Sequence, residues 1–564
     1  MFSTAILLIT LLLLLLYLAS RKPKGYPPGP RWWPILGSAM EVARLRKETG
    51  YISKTYSALC NKYGPVVGLK IGTDRIVVVN DPESIRTVLN SESCDGRPMG
   101  PVYETRTFGE RKGLILVDEE VWIEQRRFVL KQLREFGFGR KSMATIIEEE
   151  AQSLVEHFKK LINNEYDNRI NESNVSYNNN KYDDGQIYKL SENYNVGDFK
   201  PIDTNTKMEK PLTAADMYVN AEDYAEVREM CRNSGSTVIS MHDAFGVTVL
   251  NTLWRMMAGK RFNIDDKELN YLQTVFTKLF KEIDMIGALF GHFPILRFIA
   301  PELSGYKSFL ETHQQLWRFL QDEVNNHKNT FTPDSPRDLM DVYLDVLNSK
   351  NYGSTFSESQ LLAICVDLFM AGSETTSKAL GFCFLYLILY PNVQKKAHEE
   401  IDSVIGRNRP PTLEDRARMT YMNAIVLEAL RIFMARTLNV PHRALKDTTI
   451  SGYKIPKDTM LIVNFDKILM DESWGDPEEF RPERFIDESG NISTPLNFFP
   501  FSIGRRRCMG ENLARSNIFI ITTTLLQAFT FSLVPGEQKP SSQEFVDGVT
   551  AGPKPFRALV SLRT

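Results

Sequence analysis

The sequence predicts a mostly α-helical body with a smaller β-rich part near its N-terminus, carried behind one N-terminal transmembrane helix. Three observations predict it: an uncharged apolar run at residues 2–20, a long helix-patterned stretch from Ser357 to Leu389, and a short β-branched run, Arg75 to Asn80, flanked by polar residues. At 564 residues, 43% of them hydrophobic, the chain can build a large core, as one large enzyme fold or as two to four domains.

Phe2 to Ser20 is almost wholly Leu, Ile and Ala, long enough to cross ~30 Å of hydrocarbon as a helix. A cleaved signal peptide is the competing reading. The lack of a basic residue before the run, and its length, favour an uncleaved anchor. Arg21, Lys22 and Lys24 follow at once, which puts the downstream body in the cytoplasm. Residues 21–30 end in Tyr26-Pro27-Pro28-Gly29-Pro30, a stiff, non-helical neck expected to set the folded body (31–564) off from the bilayer.

Within the body, Arg75–Asn80 reads as a buried strand and Trp122–Arg134 has helical spacing. Residues from about 163 to 232 are rich in Asn, Tyr, Asp and Glu and show no period. Such composition cannot bury enough surface to offset its ordering entropy, so a disordered or weakly ordered surface insertion is expected there. The Asn171 and Asn174 sequons within it would be unused in a cytosolic body. The pattern turns helical again near Val238 and stays so to about Asn348. Ser357 then caps a helix, with Gln360 completing a capping box, Phe356 stapling onto Leu361, and Pro391 as the stop. At roughly 33 residues, against a mean near 12, it should run through the middle of the fold. Asp367, Glu374 and Lys378 argue against reading it as a second membrane span.

A net charge of −2 gives no footprint for nucleic acid. Six cysteines without a CxxC pair speak against a disulfide scaffold or zinc ribbon. One cysteine has unusual neighbours, in Phe501-Ser502-Ile503-Gly504-Arg505-Arg506-Arg507-Cys508-Met509-Gly510. A thiolate is a soft anionic metal ligand and needs positive surroundings, which three arginines and the start of a following helix would supply. Gly504 and Gly510 permit tight turns and the close approach of something flat. A buried structural thiol, the alternative, would not call for three arginines.

This stretch resembles the haem-binding loop of the cytochrome P-450 family, F-x-x-G-x-R-x-C-x-G, at Phe501, Gly504, Arg506, Cys508 and Gly510. Five fixed positions match by chance on the order of once in ten thousand such chains, so the match is specific. Three further stretches follow in the family's order. Glu428-Ala429-Leu430-Arg431 looks like E-x-x-R, with Arg484 of Pro482-Glu483-Arg484-Phe485 implied to join it in a buried structural network. Ala371-Gly372-Ser373-Glu374-Thr375-Thr376 resembles the oxygen-activation motif, implying room for dioxygen at Ala371 and Gly372, a hydrogen-bonding hydroxyl on Thr375 and proton relay by Glu374. Trp122 and Arg126 match W-x-x-x-R, and Arg97 and His442 lie where the family places further haem-propionate partners. Arg443 rivals His442 for that role.

The resemblance spans Tyr26 to Thr564, with the insertion as the main departure, and Glu119–Phe128 and Arg134–Arg140 are similar to insect microsomal members. It implies the family's mostly α fold, haem b on Cys508 and dioxygen as co-substrate. The implied reaction inserts one oxygen atom into an apolar small molecule, with NADPH electrons arriving through a cytochrome P-450 reductase and cytochrome b5 as an additional partner. It also implies an endoplasmic reticulum membrane location and a part in hormone or xenobiotic metabolism, between which the sequence does not choose. A haem-thiolate isomerase or dehydratase that needs no reductase, and a non-catalytic haem-binding sensor, remain as alternatives. Glu374 and Thr375 speak against both. Arg97 to Leu114 and Phe369 to Ala371 are expected to line an apolar pocket.

Overall fold

A strand buried on both faces organises the β part. β1 (Val66–Ile71) and β2 (Asp74–Val79) pair antiparallel, Val67 opposite Val78, and Val77, Val78 and Val79 are fully buried. The sequence-derived strand is thus present, one residue earlier at each end. Its other neighbour comes from far along the chain: β2 runs parallel to β5 (Met460–Val463), which also pairs with the two-residue β4 (His442–Arg443). A second sheet joins β3 (Ser236–Ser240), β7 (Arg557–Leu562) and β6 (Phe529–Ser532), with β7 in the middle. The β part therefore draws on both ends of the chain, not on the N-terminal region alone, and Val238 opens on a strand where a helical pattern was expected.

The computed structural model describes residues 20–139, 141–163, 235–264, 266–267, 269, 271–274, 288–333, 335–349 and 353–563, with isolated positions 7, 10, 14 and 17. The expected insertion and nearly all of the apolar run at 2–20 lie outside these. Among the described residues no helix is long and apolar enough to cross a membrane. The proline-rich segment is non-helical and lies against β1. Tyr26 is buried and donates its hydroxyl to the Ile76 carbonyl at 3.0 Å, and the Gly68 amide donates to Pro28 at 2.7 Å.

The longer helices are α1 (Ala39–Thr49), α2 (Ile52–Tyr63), α3 (Pro82–Asn90), α4 (Glu119–Glu135), α5 (Lys141–Ile162), α6 (Gly246–Ala258), α7 (Tyr306–Thr330), α8 (Leu339–Asn348), α9 (Glu358–Leu389), α10 (Pro391–Val404), α11 (Thr420–Arg436) and α12 (Glu511–Ala528). α9, with 32 residues and about 48 Å of length, is the central one. It packs against α6, α7, α8, α10, α11 and α12, which is why nearly its whole length is apolar instead of one face. Ser357 caps it, accepting from the Gln360 amide at 3.1 Å. The capping box does not close, because the Gln360 side chain bonds both backbone groups of Gly113 instead. The Phe356 ring meets Phe128 and Tyr343. Pro391 ends α9 as expected, and in the same stroke starts α10, where its missing N–H costs nothing.

Candidate active site

Cys508 sits in a loop shaped by its backbone. Its amide donates to the Phe501 carbonyl at 2.9 Å, and Ser502 and Gly504 both take positive φ. A Cβ on Gly504 would collide with the Leu89 carbonyl oxygen, so glycine is required there. Gly510 is the residue before α12, and its amide hydrogen-bonds the sulfur. Burial pushes the Cys508 thiol up. The Gly510 amide and the charges of Arg126 and Arg507 pull it down, while Glu511 opposes them. Yet the side chain has open surface.

The three arginines do not crowd the sulfur as the sequence suggested. Arg505 reaches out to Asp95 at 3.2 Å and Glu92 at 3.3 Å, and Arg507 is held by Glu511 at 2.6 Å. Arg506 turns inward, donating Nε to the Asp95 carbonyl at 2.9 Å, with its guanidinium 3.9 Å from the centre of the Trp122 ring. Arg505 and Arg506 thus both meet Asp95 and the Trp122 ring, and only Arg507 turns away, to Glu511.

Among the described residues, Arg506 Nη1 and Nη2 are buried without a hydrogen-bond partner, and burial together with the Arg97 charge lowers its pKa to about 8. His442 Nε2 is also buried and unpartnered. Its Nδ1 is 2.8 Å from the Cys94 carbonyl, and burial first, then Arg97, holds the ring well below its usual value. Arg97 is buried too, giving Nε to Ile115 and Nη1 to the Val440 and Pro441 carbonyls. Arg126, one turn along α4 from Trp122, donates to the Arg507 carbonyl at 2.5 Å. Arg443 is committed elsewhere, to Asp118 at 2.7 Å and Asp458 at 2.5 Å, which separates it from its rival His442. A buried guanidinium with two nitrogens left over, beside an aromatic face and a buried imidazole nitrogen, suits a flat group carrying carboxylates, so the residues present fit a haem.

α9 is open at its middle. Phe369 is buried and edge-on to Trp254, in the core and not on a pocket wall, whereas Ala371 is exposed. Gly372 serves packing: a Cβ there would collide with Leu253 of α6, so the open space lies at Ala371. Thr375 donates its hydroxyl to the Ala371 carbonyl at 2.6 Å, and Glu374 pairs with Lys378 at 3.7 Å.

Two supporting networks hold these elements. Glu428 and Arg431 of α11 are fully buried and pair through two bonds, at 2.8 and 2.9 Å. Arg484 reaches the same carboxylate at 3.0 Å, and Arg431 also holds the Leu469 and Pro477 carbonyls. The other network was not foreseen. Buried Asp367 of α9 accepts from the Arg106 guanidinium and from the Leu114 and Ile115 amides at 2.6 and 2.8 Å, fastening the 106–115 loop to the central helix. In the sequence Asp367 reads only as a charge unfit for a membrane. No local spacing links it to Arg106, 261 positions away.

A family model described as cytochrome P450 matches residues 27–175 and 218–560. The chain is 40% identical over 560 residues to a probable cytochrome P450 303a1 of Drosophila melanogaster, covering 98% of this chain and 97% of the relative. It is 32% identical over 560 residues to a farnesoate epoxidase of Bombyx mori, covering 99% and 98%. It is 30% identical over 558 residues to a probable cytochrome P450 305a1 of Drosophila melanogaster, covering 97% and 96%.

Proposed function

Because the chain belongs to the cytochrome P450 family, whose members are haem-dependent monooxygenases of small molecules, we propose that it inserts one atom of dioxygen into an apolar small molecule with NADPH electrons from a cytochrome P-450 reductase. Lipids, terpenoid or steroid hormones and xenobiotics are the substrate classes. The relative named for farnesoate epoxidation favours unsaturated terpenoids among them.

The observation that carries this reading is an exposed cysteine just before α12, in the same loop as a buried guanidinium, Arg506, with two nitrogens left over. Cys508 would ligate the iron of haem b. Arg506, Arg97, Arg126, Trp122 and His442 would receive its carboxylates, whose charge also favours a protonated His442 ring. Phe501, Gly504 and Gly510 would let the loop lie flat against the ring. Bound there, the haem supplies dioxygen activation, which thiolate donation promotes. Glu374 and Thr375 would handle protons on the opposite side, at the open turn of α9. Residues 2–20 would anchor the chain in the endoplasmic reticulum membrane with the body (31–564) in the cytoplasm, and cytochrome b5 would serve as an additional partner.

Replacing Cys508 by Ser tests the reading. The reduced carbon-monoxide complex of the native protein should show the red-shifted band of thiolate ligation, and the variant should lose it. A variant that keeps the band means that another residue holds the iron. Product formed by the native protein without reductase and NADPH would favour an isomerase or dehydratase.

A further inference from the structure

The link between α7 and α8 has chemistry that the cysteine site does not use. After Thr330 ends α7 the chain passes Thr332-Pro333 and Ser335-Pro336-Arg337 before Asp338 caps α8. Residues 331–333 and 335–337 belong to no helix or strand, and Ser335, Pro336 and Arg337 are exposed. A proline fixes its own φ and holds the residue before it extended, so Ser335 stands on a stretched, accessible piece of chain. A protein-kinase cleft receives its substrate in that conformation, and one class of these kinases selects a proline directly after the hydroxyl residue. Thr332 also precedes a proline, but α7 ends just behind it and leaves no stretched chain upstream.

A place for the phosphate lies alongside. A cavity of about 350 Å³ opens between the end of α6 and the end of α7, lined among others by Lys260, His327, Asn329, Thr330, Arg337 and Asp338. At ~30 Å³ for each liquid water, it has room for a phosphate with part of its hydration. The carboxylate in its lining is already engaged, since Asp338 meets His327 Nε2 and the Asp341 amide, both at 3.0 Å. The cations keep donors to spare. Lys260 is 2.7 Å from Glu323, and Arg337 gives Nε and Nη2 to Asp341 at 2.6 and 2.9 Å, yet both side chains are about half exposed. An ammonium has three donors and a guanidinium five, so each can take a second anion. Charge-assisted bonds of this kind are what a phosphate on a loop gains when cations stand close by.

We propose that Ser335 is a phosphorylation site for a proline-directed serine/threonine kinase, and that Lys260 and Arg337 receive its phosphate at this cavity. The γ-phosphoryl group of ATP moves to the serine. Its bond to Ser335 Oγ forms as its bond to the bridging oxygen breaks; ADP leaves, and the hydroxyl proton passes to the kinase's base. The modification fastens the α7–α8 link to the end of α6. α8 in turn bears on α4, because Tyr343 donates to Gln125 at 3.1 Å and its ring stands edge-on to Phe128. The fastened junction is thus one helix away from the helix that carries Trp122 and Arg126.

The experiment treats the full-length, haem-loaded protein with ATP and a purified proline-directed kinase. Mass spectrometry should place a phosphate on Ser335, and Ser335→Ala should lose it. Hydrogen exchange in the peptide covering residues 331–337 should then slow by roughly fivefold or more, as in a segment newly held by charge-assisted bonds. Lys260→Met should be phosphorylated as readily but lose the slowing, and Lys260→Arg should keep it. No phosphate on Ser335, phosphate on Thr332 alone, exchange unchanged by the phosphate, or equal slowing in Lys260→Met overturns the proposal. Neither reductase nor substrate enters this assay, so its outcome is independent of the monooxygenase reading.

Discussion

Two nitrogens of one buried guanidinium, Nη1 and Nη2 of Arg506, have no hydrogen-bond partner among the described residues. A buried charge left unpaired costs several kcal/mol, so the protein without its cofactor is less stable for carrying it. Arg506→Leu should leave the melting temperature of the haem-free protein unchanged or higher. Haem affinity should fall by about 2–4 kcal/mol, the usual cost of removing one side of a buried charge pair. Haem titration alongside melting curves checks both, and a destabilised haem-free protein with normal haem affinity would contradict the assignment. Thr375→Ala should still take up haem and accept electrons but release more peroxide per product; unchanged coupling would remove Thr375 from the mechanism. Cys508, Gly504 and Arg506 could be read from the string because their spacing within one loop is short and fixed. Where each arginine points could not, since direction depends on two positive-φ residues and on acids such as Asp95 that approach from another part of the chain.

At the scale of elements, His327 of α7 bridges to the start of α8. Its ring is 3.0 Å from Asp338, the cap of α8, and 3.1 Å from Glu323 one turn back. Burial alone would lower its pKa, but the hydrogen bonds to Asp338 and Glu323 overcome that and raise it from 6.5 to about 10. A raised folded-state value means that the stabilisation is complete below about pH 6.5 and is lost as pH rises through about 10. His327→Leu should destabilise by about 3 kcal/mol at neutral pH, since it leaves buried Asp338 without its counterion while Glu323 keeps Lys260 at 2.7 Å, and by much less at pH 10. Denaturant melts at both pH values test this; an equal loss at each would assign the effect to packing. α9 was readable from its cap and its apolar length. The Gln360 side chain was misplaced because its partner, Gly113, is 247 positions away, and β3 was missed because it draws its pairing from β7 near the other end of the chain.

For the molecule as a whole, two predictions concern stretches away from the cysteine loop. The family match leaves residues 176–217 outside its two stretches. Deleting about Tyr166 to Cys231 should therefore keep haem content and the carbon-monoxide spectrum, and loss of haem would mean that the segment packs onto the core. Arg127, Lys131 and Arg134 are exposed on one face of α4, the helix whose Arg126 reaches the cysteine loop. Lys131→Glu with Arg134→Glu should slow the first electron transfer from reductase without altering substrate binding. Raising salt should slow wild type toward the mutant rate, as the Debye length falls from ~10 Å at 0.1 M to ~3 Å at 1 M. A double mutant as fast as wild type at low salt would move the docking site to Arg505 and Arg507. The mostly helical class was legible from local period, whereas the composition of each sheet was not, because strand partners are chosen by distant packing.

That choice of partners also sets an order of events during synthesis. Asn80, which ends β2, bonds Asn464, which follows β5, across 384 positions of chain. At about 5–20 residues per second, β2 would wait some 20–80 seconds after leaving the ribosome before its parallel neighbour emerged. β3 would wait for β7, whose Arg557 stands opposite Ser240. The N-terminal third cannot mature early as an independent unit. A chain cut short near its end would leave both early and late segments with open edges, exposed to aggregation or to chaperones.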